Sequence, residues 1–171
     1  MRSNEIIRAL RQLYGPPEWI TAEEFQYEPG YDKKQRRLDF LAFNAWPSKS
    51  HVIHGMEIKI SRSDFLSEIK NPQKRERAVE LCDEFYFVAP IGIIKPAEIP
   101  KECGYISVDP LTGNLANIMK PQIEKEFPAL LPRTFLAGIS RNWNDRYDAH
   151  DIRMEIRNAK RDLIYELQKN R

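Results

Sequence analysis

Apolar residues between Ser3 and Tyr14 recur at Ile6, Ile7, Leu10, Leu13 and Tyr14, a helical period that predicts one amphipathic helix. Ser3 is its expected N-cap, and Gly15-Pro16-Pro17 ends it. The period then changes to two. Trp19 to Phe25 reads as a first strand containing Glu23 and Glu24, and the polar run from Glu28 to Lys34 must turn the chain. Arg37 to Ala45 is apolar on both alternating faces, as in a central strand covered on both sides, and Asp39 is the misfit within it. His51 to Ile60 predicts a third strand. Val52, His54, Met56, Ile58 and Ile60 share one face, and Ile53, Gly55, Glu57 and Lys59 share the other. Two charges therefore leave the same face of a strand whose opposite face reads as core.

Ser61 or Ser63 can cap a short helix through Lys70, and Asn71-Pro72 opens a second helix reaching about Asp83. Phe85 to Ala89 predicts a short buried strand, and Pro90 to Pro100 a long loop. Tyr105 to Val108 and Leu115 to Met119 flank Asp109-Pro110-Leu111-Thr112-Gly113-Asn114, the pattern of an edge hairpin. The composition shifts between Pro121 and Pro132. Beyond that point Ile152, Ile156, Ala159, Leu163 and Leu167 make the apolar stripe of an amphipathic helix that must pack on the parent domain or on a second copy. The expected organisation is one α/β domain over residues 1–120 with a helical extension over 121–171.

Composition narrows the class. At 171 residues, 42% hydrophobic and 30% charged, the chain has the means for one real core, and no apolar run approaches the roughly 20 residues of a membrane span. Met1-Arg2-Ser3-Asn4-Glu5 lacks the basic-then-apolar pattern of a secretory signal, so a reducing cytoplasm is expected. Cys82 and Cys103 lie among apolar neighbours without CxxC spacing and read as buried thiols. His54, facing away from Glu57, reads as a core or helix-contacting histidine, and Trp19, Trp46 and Trp143 as packing anchors. The net charge of +2 is too mild to prove a nucleic-acid partner. Its distribution says more, because Lys33, Lys34, Arg36 and Arg37 precede Asp39, and Lys70, Lys74, Arg75 and Arg77 follow Lys59.

Hydrolysis of a phosphodiester needs charge neutralised on the phosphate and a nucleophile made from water near neutral pH, which a bound Mg²⁺ supplies. Mg²⁺ takes one or two carboxylates plus waters and substrate oxygens, so Asp39 and Glu57 suffice as protein ligands, with Mn²⁺ as a substitute. Lys59, two positions after Glu57 on the same face, can orient the attacking water or stabilise developing charge.

The order helix, strand, strand with Asp39, strand with Glu57-Ile58-Lys59, then helix and strand resembles the PD-(D/E)XK nuclease superfamily. The resemblance implies a restriction-endonuclease-like αβββαβ core with a mixed central sheet flanked by helices, and the C-terminal helical extension after Pro121 lies outside it. Leu38 stands where the superfamily's name has proline, which leaves the ligand chemistry unchanged. A closer resemblance, to MmcB-like DNA-repair proteins and related phage nuclease-like proteins, is carried by Met56-Glu57-Ile58-Lys59-Ile60-Ser61-Arg62-Ser63-Asp64-Phe65 and by Cys82-Asp83-Glu84-Phe85-Tyr86-Phe87-Val88-Ala89-Pro90. It implies a role in DNA metabolism.

Carried onto this chain, the resemblance makes Asp39, Glu57 and Lys59 the catalytic residues. Asp39, Glu57 and the Ile58 carbonyl become the metal ligands. It adds a further acid at Glu5 or Glu23, and a helper on the following helix at Lys70, Gln73 or Lys74. Lys33, Lys34, Arg36, Arg37 and Arg62 are the candidate DNA contacts. A Mg²⁺-dependent deoxyribonuclease is the expectation, and a catalytically silent DNA-binding module on the same fold is the alternative. No membrane partner is expected, and a homodimer through the C-terminal helix is a further expectation.

Overall fold

The second strand of the sheet, β2 (Arg37–Asn44), lies antiparallel between β1 (Trp19–Gln26) and β3 (Ile53–Ile58), and its apolar residues face cores on both sides. This computed structural model describes residues 1–27, 36–123 and 131–146, with side chains through residue 140. After β3 the chain forms two helices, α2 (Arg62–Lys70) and α3 (Gln73–Leu81), and returns parallel to β3 as β4 (Glu84–Pro90). A second parallel crossover, through a 3₁₀ turn at Pro96–Glu98, leads to β5 (Cys103–Val108). β6 (Leu115–Met119) then closes the edge as an antiparallel hairpin. The result is a six-stranded mixed sheet in the order β1-β2-β3-β4-β5-β6, an α/β fold.

Each face of the sheet has its own core. The first helix, α1 (Ser3–Leu13), buries Ile6, Ala9 and Leu10 against Phe40, Met56, Tyr86 and Ile106. On the other face Phe65 of α2 and Ala78 and Leu81 of α3 pack with Leu41, Phe85 and Phe87. A fourth helix, α4 (Arg133–Arg146), joins this second core through Phe135, whose ring meets Phe25 of β1 edge-on at 5.0 Å. Such aromatic pairs contribute about 0.5–1.5 kcal/mol beyond their buried area. The helical stripe expected from Ile152 to Leu167 lies outside the described residues. No helix among the described residues is long and apolar enough to cross a membrane.

Local detail departs from expectation at α1. The helix begins at Ser3, so its N-cap is Arg2, whose N–H donates to Glu5 Oε2 at 2.5 Å. Ser61 does cap α2, accepting from Asp64 N at 3.2 Å. Gly55 is required where it stands, because a Cβ there would come within 2.5 Å of Cys82 Sγ. Cys82 and Cys103 are both buried thiols. Trp19 packs edge-on to Tyr14 at 4.8 Å, whereas Trp46 is 45% exposed.

His54 sits on the α1 face, between Tyr14 Oη and Glu84 Oε2, each at 3.1 Å. Glu84, hydrogen-bonded by His54 and Tyr86 and paired with Lys120, is held down to about 2 despite its burial.

Candidate active site

Asp39 occupies the place where β2 and β3 part. The ladder between them runs from Phe43↔Ile53 to Phe40↔Met56, and one step beyond it Ile58 N donates to Asp39 Oδ2 at 2.7 Å. A side chain has taken the role of a backbone acceptor. Meanwhile β3 stays with β4, through Ile58↔Val88 and a 2.8 Å bond from Lys59 N to Val88 O. Strict alternation also fails here. Leu38 and Leu41, three apart, enter the same core, as do Ala22 and Phe25 opposite them on β1. Glu24, at that level of β1, has φ of 48°, the left-handed region that a glutamate rarely adopts.

Alternation holds on β3, where Met56 and Ile58 face α1 and Glu57 faces the α2 side with Lys59 at its carboxylate. Lys59 Nζ donates to Glu57 Oε1 at 2.9 Å, and lies 3.6 Å from Glu68 Oε2 and 3.8 Å from Asp64 Oδ2. Asp64 and Glu68 were not singled out in the sequence. Their spacing of four on α2 puts them on one helix face, but aiming that face at Lys59 depends on Phe65, which is fully buried and edge-on to Phe87 at 5.4 Å.

Burial shapes the titration of the site. Asp39 is raised by burial, against the opposing Ile58 hydrogen bond and the Lys59 charge. Glu57 is pushed up to about 7, first by burial and then by the charge of Asp39. Burial pulls Lys59 down, but Glu57, Glu68 and Asp64 outweigh it and leave the ammonium above its ordinary value.

The sign for stability follows from Glu57, whose ordinary value is 4.5. Its contribution is full below that value and is lost as pH rises through about 7. Without divalent cations, the thermal midpoint falls as pH rises from about 4.5 to about 7, and Glu57→Gln flattens the fall. An unchanged slope in Glu57→Gln would assign the effect to another group.

Beside Glu57 opens a cleft of about 590 Å³, walled by Arg36, Arg37, Glu57, Glu68, Lys74 and Arg75 among others. It lies between the ends of the β1–β2 pair and the α2–α3 pair. Arg75 is part of its fixed wall, buried over Phe87, donating to Glu68 O at 3.2 Å and paired with Glu102 at 3.6 Å. Arg36 donates to Gln73 O at 3.5 Å across the opening, while Arg37 and Lys74 are exposed.

The remaining candidates separate. Gln73 and Lys74 line the cleft, and Lys70 is exposed at the end of α2. The α2 side chains that reach Lys59 are Asp64 and Glu68 instead. Glu5 is engaged at the α1 N-terminus with Arg2. Glu23 faces α1 and pairs both oxygens with Arg11, at 2.6 and 2.9 Å. The neighbouring Glu24 is the β1 acid whose charge reaches Asp39. Arg62 forks onto both oxygens of Glu98 at 2.5 Å and donates to Ile93 O, so its guanidinium is tied to the crossover before β5. Lys33 and Lys34 lie outside the described residues. For Ile58, it is the N–H that is engaged in the site.

The donor set fits a hard divalent cation. Asp39 Oδ2 is bonded to Ile58 N and Glu57 Oε1 to Lys59, and among the described residues the second oxygen of each carboxylate has no hydrogen-bond donor. Two mutually repelling carboxylates with an open oxygen each suit Mg²⁺, which keeps waters for its other positions. Among the described residues no group of three or more His, Cys, Asp or Glu is arranged to hold a metal.

No protein-family description matches the sequence, and no curated protein matches it. A solved structure of a protein of unknown function from Silicibacter pomeroyi is similar, with a TM-score of 0.54 and 23% identity over 86% of this chain and 90% of that one. A likeness at that identity shows the shared fold.

Proposed function

We propose that the chain is a Mg²⁺-dependent phosphodiesterase acting on DNA, with Asp39, Glu57 and Lys59 as its catalytic residues. The observation that carries this reading is a pair of half-buried carboxylates, Asp39 and Glu57, whose charges act on each other, with the buried Lys59 ammonium on Glu57, where two strands part and beside a cleft walled in part by basic residues. The order of elements supports it. The series α1, β1, β2, β3, α2 with α3, and β4 follows the αβββαβ core of the PD-(D/E)XK superfamily, with two short helices in the place of one.

Asp39 and Glu57 would hold the metal, which when bound would neutralise phosphate charge and supply a water nucleophile near neutral pH. The Ile58 N–H fixes the orientation of the Asp39 carboxylate. Lys59, 4% exposed, presents its ammonium to the attacking water or to the phosphate oxygens from a site where its charge is weakly screened. Arg36, Arg37 and Lys74 are placed to neutralise flanking phosphates. Each phosphate neutralised on duplex DNA adds about −0.9 to the slope of log K against log salt.

The test is cleavage of duplex, single-stranded and branched DNA, with RNA in parallel, in Mg²⁺, Mn²⁺ and EDTA. Metal-dependent cutting of DNA is expected. Salt-sensitive binding without cutting in either metal would support the silent DNA-binding module instead, and cutting of RNA alone would correct the substrate.

A further inference from the structure

The Lys59 ammonium has three protons to donate and sits among three carboxylates from two elements. Glu57 is on its own strand at 2.9 Å, and Glu68 and Asp64 come from α2 at 3.6 and 3.8 Å. In the function proposed above Glu57 therefore serves twice, holding Lys59 and offering an oxygen to the metal. The two roles conflict. With a divalent cation bound at Glu57, that carboxylate would lose charge to the cation and would hold the Lys59 ammonium less strongly.

Glu68 is the acceptor best placed to take over. Its side chain is 12% exposed, against 54% for Asp64, so water screens its attraction for Lys59 far less. Its backbone is fixed as well. Arg75, itself buried, donates to Glu68 O at 3.2 Å, and Phe65 anchors the preceding turn of α2 in the core. We infer that Glu68 is a positioning residue that takes the Lys59 ammonium from Glu57 when metal binds, keeping it aimed at the reacting phosphate. This rests on the metal-dependent reading of the site.

The full chain, labelled with ¹⁵N-lysine, reports the transfer directly through the Lys59 Nζ resonance, with and without saturating Mg²⁺. In the parent that resonance shifts on adding Mg²⁺ and stays sharp. In Glu68→Gln it is sharp without Mg²⁺, where Glu57 still holds the ammonium, and broadens beyond detection with Mg²⁺. Glu68→Asp restores it in part, and Asp64→Asn leaves it sharp.

On DNA the turnover of Glu68→Gln falls about 10- to 100-fold, as expected for a misplaced catalytic group, with KM within about twofold. A sharp Lys59 resonance in Mg²⁺-loaded Glu68→Gln overturns the inference while a cutting parent leaves the nuclease reading standing. So does a resonance already lost in Glu68→Gln before Mg²⁺ is added, which marks general support of the fold. A parent that neither responds to Mg²⁺ nor cuts overturns the nuclease reading and the inference with it.

Discussion

Asp39→Asn removes metal-dependent cleavage and leaves the fold close to that of the parent, whereas Asp39→Ala loses cleavage and stability together. The two substitutions separate the two tasks of this side chain. Asn keeps an oxygen that can accept from Ile58 N, now at 2.7 Å from Asp39 Oδ2, but has no charge with which to hold a divalent cation. A bound metal supplies several kcal/mol of transition-state stabilisation, so losing it lowers turnover by about 10³-fold or more. Ala also leaves the buried Ile58 N–H without an acceptor, which costs about 1–3 kcal/mol. Turnover and denaturant midpoints of both variants decide the matter. If Asp39→Asn cuts like the parent, the carboxylate holds no metal. If the Asn and Ala variants are equally destabilised, the Ile58 bond has not been preserved by Asn and the tasks are not separable.

Lys59→Ala lowers turnover by about 10²- to 10³-fold, the range seen when one charge-stabilising donor is removed. It also leaves Glu57, Asp64 and Glu68 without their shared cation. Removing one partner of a fully buried pair costs about 3–5 kcal/mol. Here Glu57 is 23% and Asp64 54% exposed, so solvent screening reduces the cost to about 1–3 kcal/mol. Mg²⁺ supplies positive charge to the same carboxylates and therefore raises the thermal midpoint more in Lys59→Ala than in the parent. Lys59→Arg does not restore activity, because a planar guanidinium cannot occupy the enclosed place of a compact ammonium. Parent-like cutting by Lys59→Ala removes Lys59 from the mechanism. Equal Mg²⁺ stabilisation of both proteins shows that the ammonium and the metal do not serve the same carboxylates.

The distinction between Asp39 and Glu57 was partly legible in the sequence. Alternation along β3 assigns Glu57 and Lys59 to one face with no knowledge of what covers it, because the strand period is two wherever the strand lies. Asp39 had no such support. Its strand is apolar on both sides, and the local departure from alternation at Glu24 and Asp39 comes from how β1 and β2 are paired, a property of two segments and not of one. The parting of β2 from β3 is of the same kind, since it depends on where one ladder stops and another continues.

The partners of the site residues were equally hidden. Glu23 and Glu24 are adjacent acids in one strand, yet Glu23 is bound to Arg11 of α1 while Glu24 lies near Asp39. Arg62, three positions after Lys59 in the chain, is forked onto Glu98, 36 positions away. Glu68 reaches Lys59 because Phe65 seats α2 on the sheet at one angle.

Local periodicity, caps and turn residues thus determined the elements of this protein, their order and the face on which Glu57 and Lys59 stand, because those depend on neighbours within a few positions. Tertiary structure alone decided which acids meet Lys59, where Asp39 comes to rest and which basic residues wall the cleft. Those are distances between segments far apart in the chain, set by how β2, β3 and α2 pack and not by any one segment's own pattern.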